Sequence, residues 1–462
     1  MFYISKLWSR TTKQAFVRAF QAKKLDKKAI AKQFKLLIIT QFFPPDYAAT
    51  GQLIQELAEQ LGNHNVRVNV FTGQPGYAFK QKQAPVVEVS KNLRVQRSKI
   101  RQFCGKRIRS KTLNGIIFTL TAVKYLLINA RKNDAVILTT APPFLSIVGY
   151  LINLLFKLDY ICLIYDLYPD AAVELGVVSR HHAIAKLWHQ INAVVWHRSK
   201  KIVVLSETMK QRIVARHPTI AAKITVIHNW ADPTWIEPID KKNNWFAHEQ
   251  EIDREFTVLY SGNLGYCHDL DTIINTAKLL KDRPIKFIFI GAGAKYHIGR
   301  EMAAESNLNN CKFLPYQDKA NLPYSLTACD LSLVSIAAGF EGVIAPSKVY
   351  GIMAASKAIA AICEPDSYLR QLITNAKCGA AFDNNDSGNL ARFILALAAD
   401  PQLAARMGTA GRQYMKNHFT PQIIARQYYE VLEIDSEIQS PNIVGDRILS
   451  KTTNRRSVII NP

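Results

Sequence analysis

Carboxylates are scarce in this chain: 36 Asp and Glu stand against 59 Lys and Arg, so its 462 residues carry a formal net charge of +23. Such an imbalance suits an anionic partner, whether nucleic acid, an acidic membrane face or a phosphorylated substrate. Paired cysteines are missing too. The seven cysteines (Cys104, Cys162, Cys267, Cys311, Cys329, Cys363, Cys378) form no CxxC motif and no Cys/His ligand spacing. That argues against a structural zinc and a disulfide framework, and it suits a reducing cytoplasm. Long apolar runs are absent as well. The stretch 113–128 contains Asn114 and Lys124, and 144–158 is closed off by Lys157 and Asp159. A spanning helix needs roughly 20 apolar residues, so both segments are expected to be helices packed on a sheet. The N-terminus lacks the uninterrupted apolar stretch of a signal peptide. No nucleic-acid-binding motif accompanies the charge, so nucleic acid is not an expected partner.

What is present is a globular composition, 48% hydrophobic and 21% charged, in a chain too long for one ordinary core. From Lys35 onward, apolar strands alternate with helical sequence: KLLIIT, VRVNVFT, AVILTT, YICLIYD and KIVVLS, then ITVIHNWAD to close the series. A polar, charged stretch intervenes. A second series then runs from Thr257 through FIFIG, KFLPY, LSLVS, AIAAI and AAF. Alternation of this kind implies α/β architecture, with parallel sheets covered by helices on both faces. We expect two tandem doubly wound, Rossmann-like domains facing a cleft, at 35–235 and 257–418, joined by a linker at 236–256. A basic extension at 1–34 precedes them. A C-terminal helix at 419–435, possible as a crossing back to the first domain, and a disordered tail at 436–462 follow.

Glycine loops mark the second series. VLYSGNLG ends in Gly262, Asn263 and Gly265, and FIFIGAGAK ends in Gly291, Gly293 and Lys295. Glycine lets backbone approach an anion, and a helix start behind it offers free N–H groups and a positive dipole end. Two such loops point to a diphosphate-bearing ligand. In APSKVYGIMAA, Lys348 follows Pro346 and Ser347 at an expected helix start, where an ammonium can neutralise a leaving diphosphate. Asp166 and Asp170 sit just past an apolar strand, where such sheets place their ligands. Asp269-Leu270-Asp271 spells a metal-binding acid pair, but it opens a helix, so capping is the preferred explanation. No metal and no other cofactor is expected.

Taken together, the DLYPDAAVELGVV segment (166–178), Asn229–Asp232, the YSGNLG loop, the PSKxY segment and the stretch from Gly411 to Phe419 resemble the GT-B glycosyltransferases. The likeness is to family 4, a retaining group, in the branch that makes colanic acid and O-antigen. It covers about Lys35 to Leu432. The resemblance implies a nucleoside-diphosphate sugar as donor substrate, bound by the second domain, and a lipid-linked or oligosaccharide acceptor presented by the first. It implies that Asp166 orients the acceptor or takes its proton, and that Gly51 lies on a loop approaching donor or acceptor. Two departures stand out. The family's Glu-x7-Glu pair falls here on Val343 and Gly351, which leaves Glu341 as a candidate sugar contact. The usual His–Asp acceptor pair is Tyr165–Asp166.

The run Arg97–Lys111 mixes Phe103 and Ile108 with many cations, and the N-terminal extension intersperses Phe2, Tyr3, Ile4, Leu7 and Trp8 with basic residues. Both suit an anionic membrane surface. The expected location is therefore cytoplasmic, peripheral on the inner face of the membrane. A nucleotide-sugar epimerase, a glycoside phosphorylase, a degenerate nucleotide-sugar binder and a basic nucleic-acid-binding protein are the alternatives.

Overall fold

Strands whose residues are apolar on both faces can be stable only inside a covered parallel sheet, and β1 (Lys35–Ile39) has four consecutive buried aliphatics. In the computed structural model, which describes residues 33–46, 48–76, 84–100 and 108–434 (backbone only at 108–111), it lies within an eight-stranded sheet. Helix α1 (Ala49–Asn63) leads to β2 (Arg67–Thr72), and β3 (Val87–Ser90) with β4 (Leu93–Arg97) adds an edge hairpin. Helix α2 (Ile108–Asn129) crosses to β5 (Ala135–Thr139), α3 (Leu145–Phe156) to β6 (Asp159–Ile164), and α4 (Ala183–Arg198) to β7 (Lys201–Val204). Helix α5 (Glu207–Arg216) then leads to β8 (Ile224–Val226). The strand order is β3-β4-β2-β1-β5-β6-β7-β8, parallel except for the hairpin.

The second sheet runs β11-β10-β9-β12-β13-β14 and is parallel throughout. It comprises β9 (Phe256–Asn263), β10 (Ile285–Ala292), β11 (Cys311–Leu314), β12 (Leu331–Ser335), β13 (Ala358–Ile362) and β14 (Gly379–Phe382). Helix α6 (Asp271–Leu279) follows β9, and α7 (Lys348–Ala354) lies between β12 and β13. Each sheet reverses its winding beside its first strand, between β1 and β5 and between β9 and β12. Doubly wound sheets open their ligand crevices at such switch points.

The polar stretch expected as the linker, 236–256, is packed against chain segments of the second sheet through Lys241. Lys241 is buried, and its ammonium donates to Asp330 Oδ2 at 2.6 Å, Thr257 Oγ1 at 2.9 Å and the Glu255 carbonyl at 2.6 Å. A charged residue pays for such burial only when every donor finds an acceptor, which composition cannot reveal. Arg97, taken as the start of a basic membrane-facing run, is 1% exposed. Its guanidinium reaches Glu88 at 2.8 Å and the carbonyls of Pro44 and Pro85 at 2.6 and 2.9 Å, so it ties down the hairpin. Residues 1–32, Phe103 and the tail 436–462 lie outside the described residues, as does Tyr47.

Helices α8 (Pro401–His418) and α9 (Pro421–Leu432) carry the chain back to the first sheet. Arg412 on α8 donates to the carbonyls of Pro233 (2.9 Å), Ile236 (2.7 Å) and Ala354. Tyr429 on α9 donates its hydroxyl to the Leu61 carbonyl at the end of α1, at 3.2 Å. The segment between Gly411 and Phe419 therefore holds the chain crossing against α7.

Candidate active site

Residue alternation along β9 places Tyr260 and Gly262 on one face of the strand, and Lys348 meets both. Its Nζ lies 3.7 Å from the Tyr260 ring centroid and would stand 3.4 Å from a Cβ at Gly262. The amine is buried and has no hydrogen-bond acceptor. Burial pulls it down to about 7 from the ordinary lysine range. An ammonium short of acceptors beneath a glycine loop is poised for an anion, because a phosphate oxygen would supply what the protein does not.

The remaining residues of the loop divide in two. Gly262 has a φ of 124°, and a Cβ there would face only the Lys348 side chain. Asn263 is exposed, and a Cβ on Gly265 would meet its Nδ2 at 3.0 Å. Gly291 and Gly293 are set by crowding: a Cβ would come within 2.0 Å of the Gly262 carbonyl oxygen and 2.5 Å of that of Leu264. These glycines let the ends of β9 and β10 approach each other. Lys295 closes the turn, its N–H bonded to the Leu264 carbonyl at 2.9 Å. Its ammonium reaches the His268 carbonyl at 3.0 Å and pairs with Asp271 at 3.6 Å.

His268 is neutral. Burial, reinforced by the charges of Lys348 and Lys295, drives it down to about 3, and Nδ1 sits 2.8 Å from the Ser335 carbonyl. Asp269 has both carboxylate oxygens occupied, by the Thr272 N–H and hydroxyl at 2.9 and 2.7 Å and by Asn384 Nδ2 at 2.7 Å. With Asp271 on Lys295, the acid pair serves the helix start.

Asp166 follows β6 and forms an isolated antiparallel bridge with Ile344, next to a 2.9 Å bond from the Leu167 N–H to the Val343 carbonyl. These contacts bring the loop before Pro346 and Ser347 against the first sheet. Asp166 is exposed as a residue, yet the protein around its carboxyl removes enough solvent to push it up to about 6. Cys267 lies within electrostatic reach of Asp166, Lys348 and Lys295 at once. The 262–265 loop passes the same thiol, since a Cβ on Gly265 would stand 3.7 Å from its sulfur.

Other candidates fall elsewhere. Asp170 is buried in an ion-pair network, 3.2 Å from both Arg212 Nε and Arg216 NH1, and so holds α5 in place. Gly51 lies in the first turn of α1, where a Cβ would touch the Phe42 and Phe43 backbone at 3.0 Å, so packing accounts for it. Glu341 spans the halves: Oε1 accepts from Thr208 Oγ1 at 2.6 Å and from the Tyr368 N–H at 3.4 Å, leaving Oε2 buried and unpaired. It lines a cavity of about 740 Å³ with Arg180, Arg212, Arg216 and Glu364. That cavity does not include Asp166 or Lys348 in its walls, so the chemistry is assigned to the Lys348 cluster on geometry. A Cβ on Gly351 would meet Leu326 and Ile236 side chains, apolar surroundings that would not accommodate the family's second carboxylate.

Tyr260 and Cys267 were not singled out from sequence. The signal for Tyr260 was there, two residues before Gly262 on a strand; Cys267 had none, because its neighbours come from distant segments.

Residues 50–235 match the family model described as Glycosyltransferase Family 4, and 241–414 match the one described as Glycosyl transferases group 1. Among curated relatives, the chain is 25% identical over 265 residues to WbjE of Pseudomonas aeruginosa, named as a glycosyltransferase; the match spans 57% of this chain and 66% of WbjE. It is 22% identical over 413 residues to WcaI of Escherichia coli (strain K12), named for colanic acid biosynthesis, across 85% of this chain and 98% of WcaI. Of solved structures, sucrose-phosphate synthase from Thermosynechococcus elongatus superposes with a TM-score of 0.70 at 16% identity, covering 87% of this chain and 98% of that one. Anabaena HepE, solved in complex with UDP and glucose, superposes with a TM-score of 0.66 at 16% identity, covering 87% and 100%.

Proposed function

The chain belongs to the GT-B glycosyltransferases of family 4 and group 1, and we propose that it moves a sugar from a nucleoside-diphosphate donor to a lipid-linked or oligosaccharide acceptor in cell-surface polysaccharide synthesis. The observation that carries this reading is Lys348, a buried amine without an acceptor beneath Gly262 at a sheet switch point. The donor diphosphate lies against the 262–265 loop, with Lys348 on the phosphate that leaves. As the bond from the sugar's anomeric carbon to the diphosphate breaks, negative charge grows on that phosphate, and Lys348 stabilises it more than it stabilises the ground state. Asp166, reaching across from the first sheet, orients the acceptor hydroxyl or takes its proton.

Retention of configuration and independence from metal ions belong to the same proposal. The occupied oxygens of Asp269 and the pairing of Asp271 with Lys295 favour transfer without a divalent cation; loss of activity in a chelator would remove that part. A lipid-linked acceptor places the protein in the cytoplasm at the inner membrane face, with anionic lipid as a partner.

The test is thermal stabilisation across UDP, GDP, ADP, CMP and their sugars. Selective stabilisation by one nucleotide sugar, abolished in Lys348→Met, is the expected result. A flat panel at millimolar ligand with folded protein would leave a degenerate site and overturn the transferase reading.

A further inference from the structure

Three crossovers of one hand put α2, α3 and α4 on the same face of the first sheet, since β4→β5, β5→β6 and β6→β7 all advance in one direction along it. Helix α1 belongs to the opposite face and is covered by α9. Among the described residues, no element covers the outer side of α2, α3 and α4 to the same extent, and that side is apolar. Leu113, Leu120 and Ile128 on α2, Leu151 and Leu155 on α3 and Leu187 on α4 are all exposed, Leu120 at 65% and Leu155 at 66%. The inner sides are spent on the core through residues such as Phe118, Ala122, Leu126, Val148, Ile152 and Val195.

The charge on this face has one sign. Between Ile108 and Lys132, between Leu145 and Lys157, and between Ala183 and Arg198 there is no Asp or Glu. Lys124, Arg131, Lys157, Lys186 and Arg198 are exposed among the aliphatics. Two of these cations sit between helices: Arg131 lies 5.4 Å from the Phe156 ring centroid, and Arg198 donates to Asn153 Oδ1 at 2.7 Å. The segment Thr112–Lys132 is long and apolar enough to cross a membrane, yet its inner stripe fills the sheet core, so it can only lie along a surface. Leucines ringed by cations, with carboxylates excluded, match a bilayer interface that is apolar inside and anionic at its headgroups.

We propose that the outer face of α2, α3 and α4 is the surface by which the protein docks on an anionic lipid bilayer. This deepens the membrane-side reading above and rests on it. Aliphatic side chains enter the acyl boundary while the cations hold phosphate headgroups, and the first half of the chain meets the membrane.

The experiment is flotation of the full chain with phosphatidylcholine vesicles, with and without phosphatidylglycerol, alongside the double variant Leu120→Gln/Leu155→Gln and the control Leu279→Gln on α6. Both exposed leucines tolerate a polar side chain in the folded state, which unchanged thermal melting would verify. The expected result is binding of the wild type to anionic vesicles, a drop of roughly tenfold or more in the double variant, and no change in the control. Equal binding by the double variant would keep the membrane reading but overturn this face. Failure of the wild type to bind would overturn both, with nucleotide-sugar stabilisation still testing the transfer reaction independently. Sedimentation showing a wild-type dimer that Leu120→Gln/Leu155→Gln converts to monomer, with vesicle binding intact, would make the face a self-interface and also overturn it.

Discussion

Lys348 rests its ammonium 3.7 Å from the centroid of the Tyr260 ring and bonds to no acceptor. The ring face offers a weak electrostatic partner, too little to offset burial, and the amine titrates near 7 instead of 10.5. Between these values the unfolded chain binds a proton that the folded one lacks, so stability rises with pH across that window. Lys348→Met should raise the melting temperature of the ligand-free protein at pH 7 and below, by a gain on the order of a few kcal/mol. The gain should fade as pH approaches 10.5. A variant that melts lower than wild type at pH 7 would show the lysine to be satisfied.

Donor binding should restore the proton. A diphosphate beside Nζ favours the charged form, so nucleoside diphosphate binding at pH 8 should take up close to one proton, roughly that fraction of the amine being neutral beforehand. Calorimetry in buffers of different ionisation enthalpy measures it. Binding without buffer dependence would place the phosphate elsewhere.

Asp166, pushed up to about 6 by crowding, should give the pH profile of transfer an acid limb near that value, because the charged carboxylate is the competent form. Asp166→Asn should lower the turnover rate by roughly 10²- to 10⁴-fold and leave nucleotide stabilisation unchanged. A normal rate in the variant would remove Asp166 from the acceptor site.

Thr208 and Glu341 are 133 residues apart in sequence, and the Thr208 hydroxyl donates to Glu341 Oε1 at 2.6 Å. Thr208→Val leaves Oε1 with only the long bond from Tyr368 and should cost about 1–3 kcal/mol. A double-mutant cycle with Glu341→Gln, read by chemical denaturation, should show coupling between the two. Strict additivity would make the contact energetically idle.

Arg412 serves three carbonyls from two directions. Arg412→Lys keeps the charge but loses the planar fork, and should destabilise by about 2–3 kcal/mol through the carbonyls it leaves unpaired. Thermal melting equal to wild type would show that water replaces the fork.

Much of the fold was legible because it is written locally. Consecutive aliphatics in β1 and β13 announce buried parallel strands, and Pro421 followed by periodic apolar residues announces α9. The β3–β4 hairpin escaped notice because its outer strand, VEVS, is only 4 residues long and wholly exposed, so its alternation marks no buried face. Within the site, Lys348 and the Gly262 loop could be picked out as residue types suited to phosphate. Asp170 and Gly51 stood out only by position, one just past a strand and the other on a loop before a helix; their partners, Arg212 and Arg216 in one case and the Phe42 backbone in the other, account for them by packing and pairing.

By itself the sequence determined two series of strands and helices, their glycine-bearing turns, and an excess of cations without paired cysteines. Tertiary structure decided which cations are spent and which remain available. Arg97, Lys241 and Arg412 are consumed by carbonyls and carboxylates, whereas Lys348 is buried without an acceptor. It also decided that the leucines of α2 and α3 divide between core and surface. Local pattern records whether a residue is apolar or charged. Burial and hydrogen-bond satisfaction depend on which distant segments fold against it, and those determine its energy.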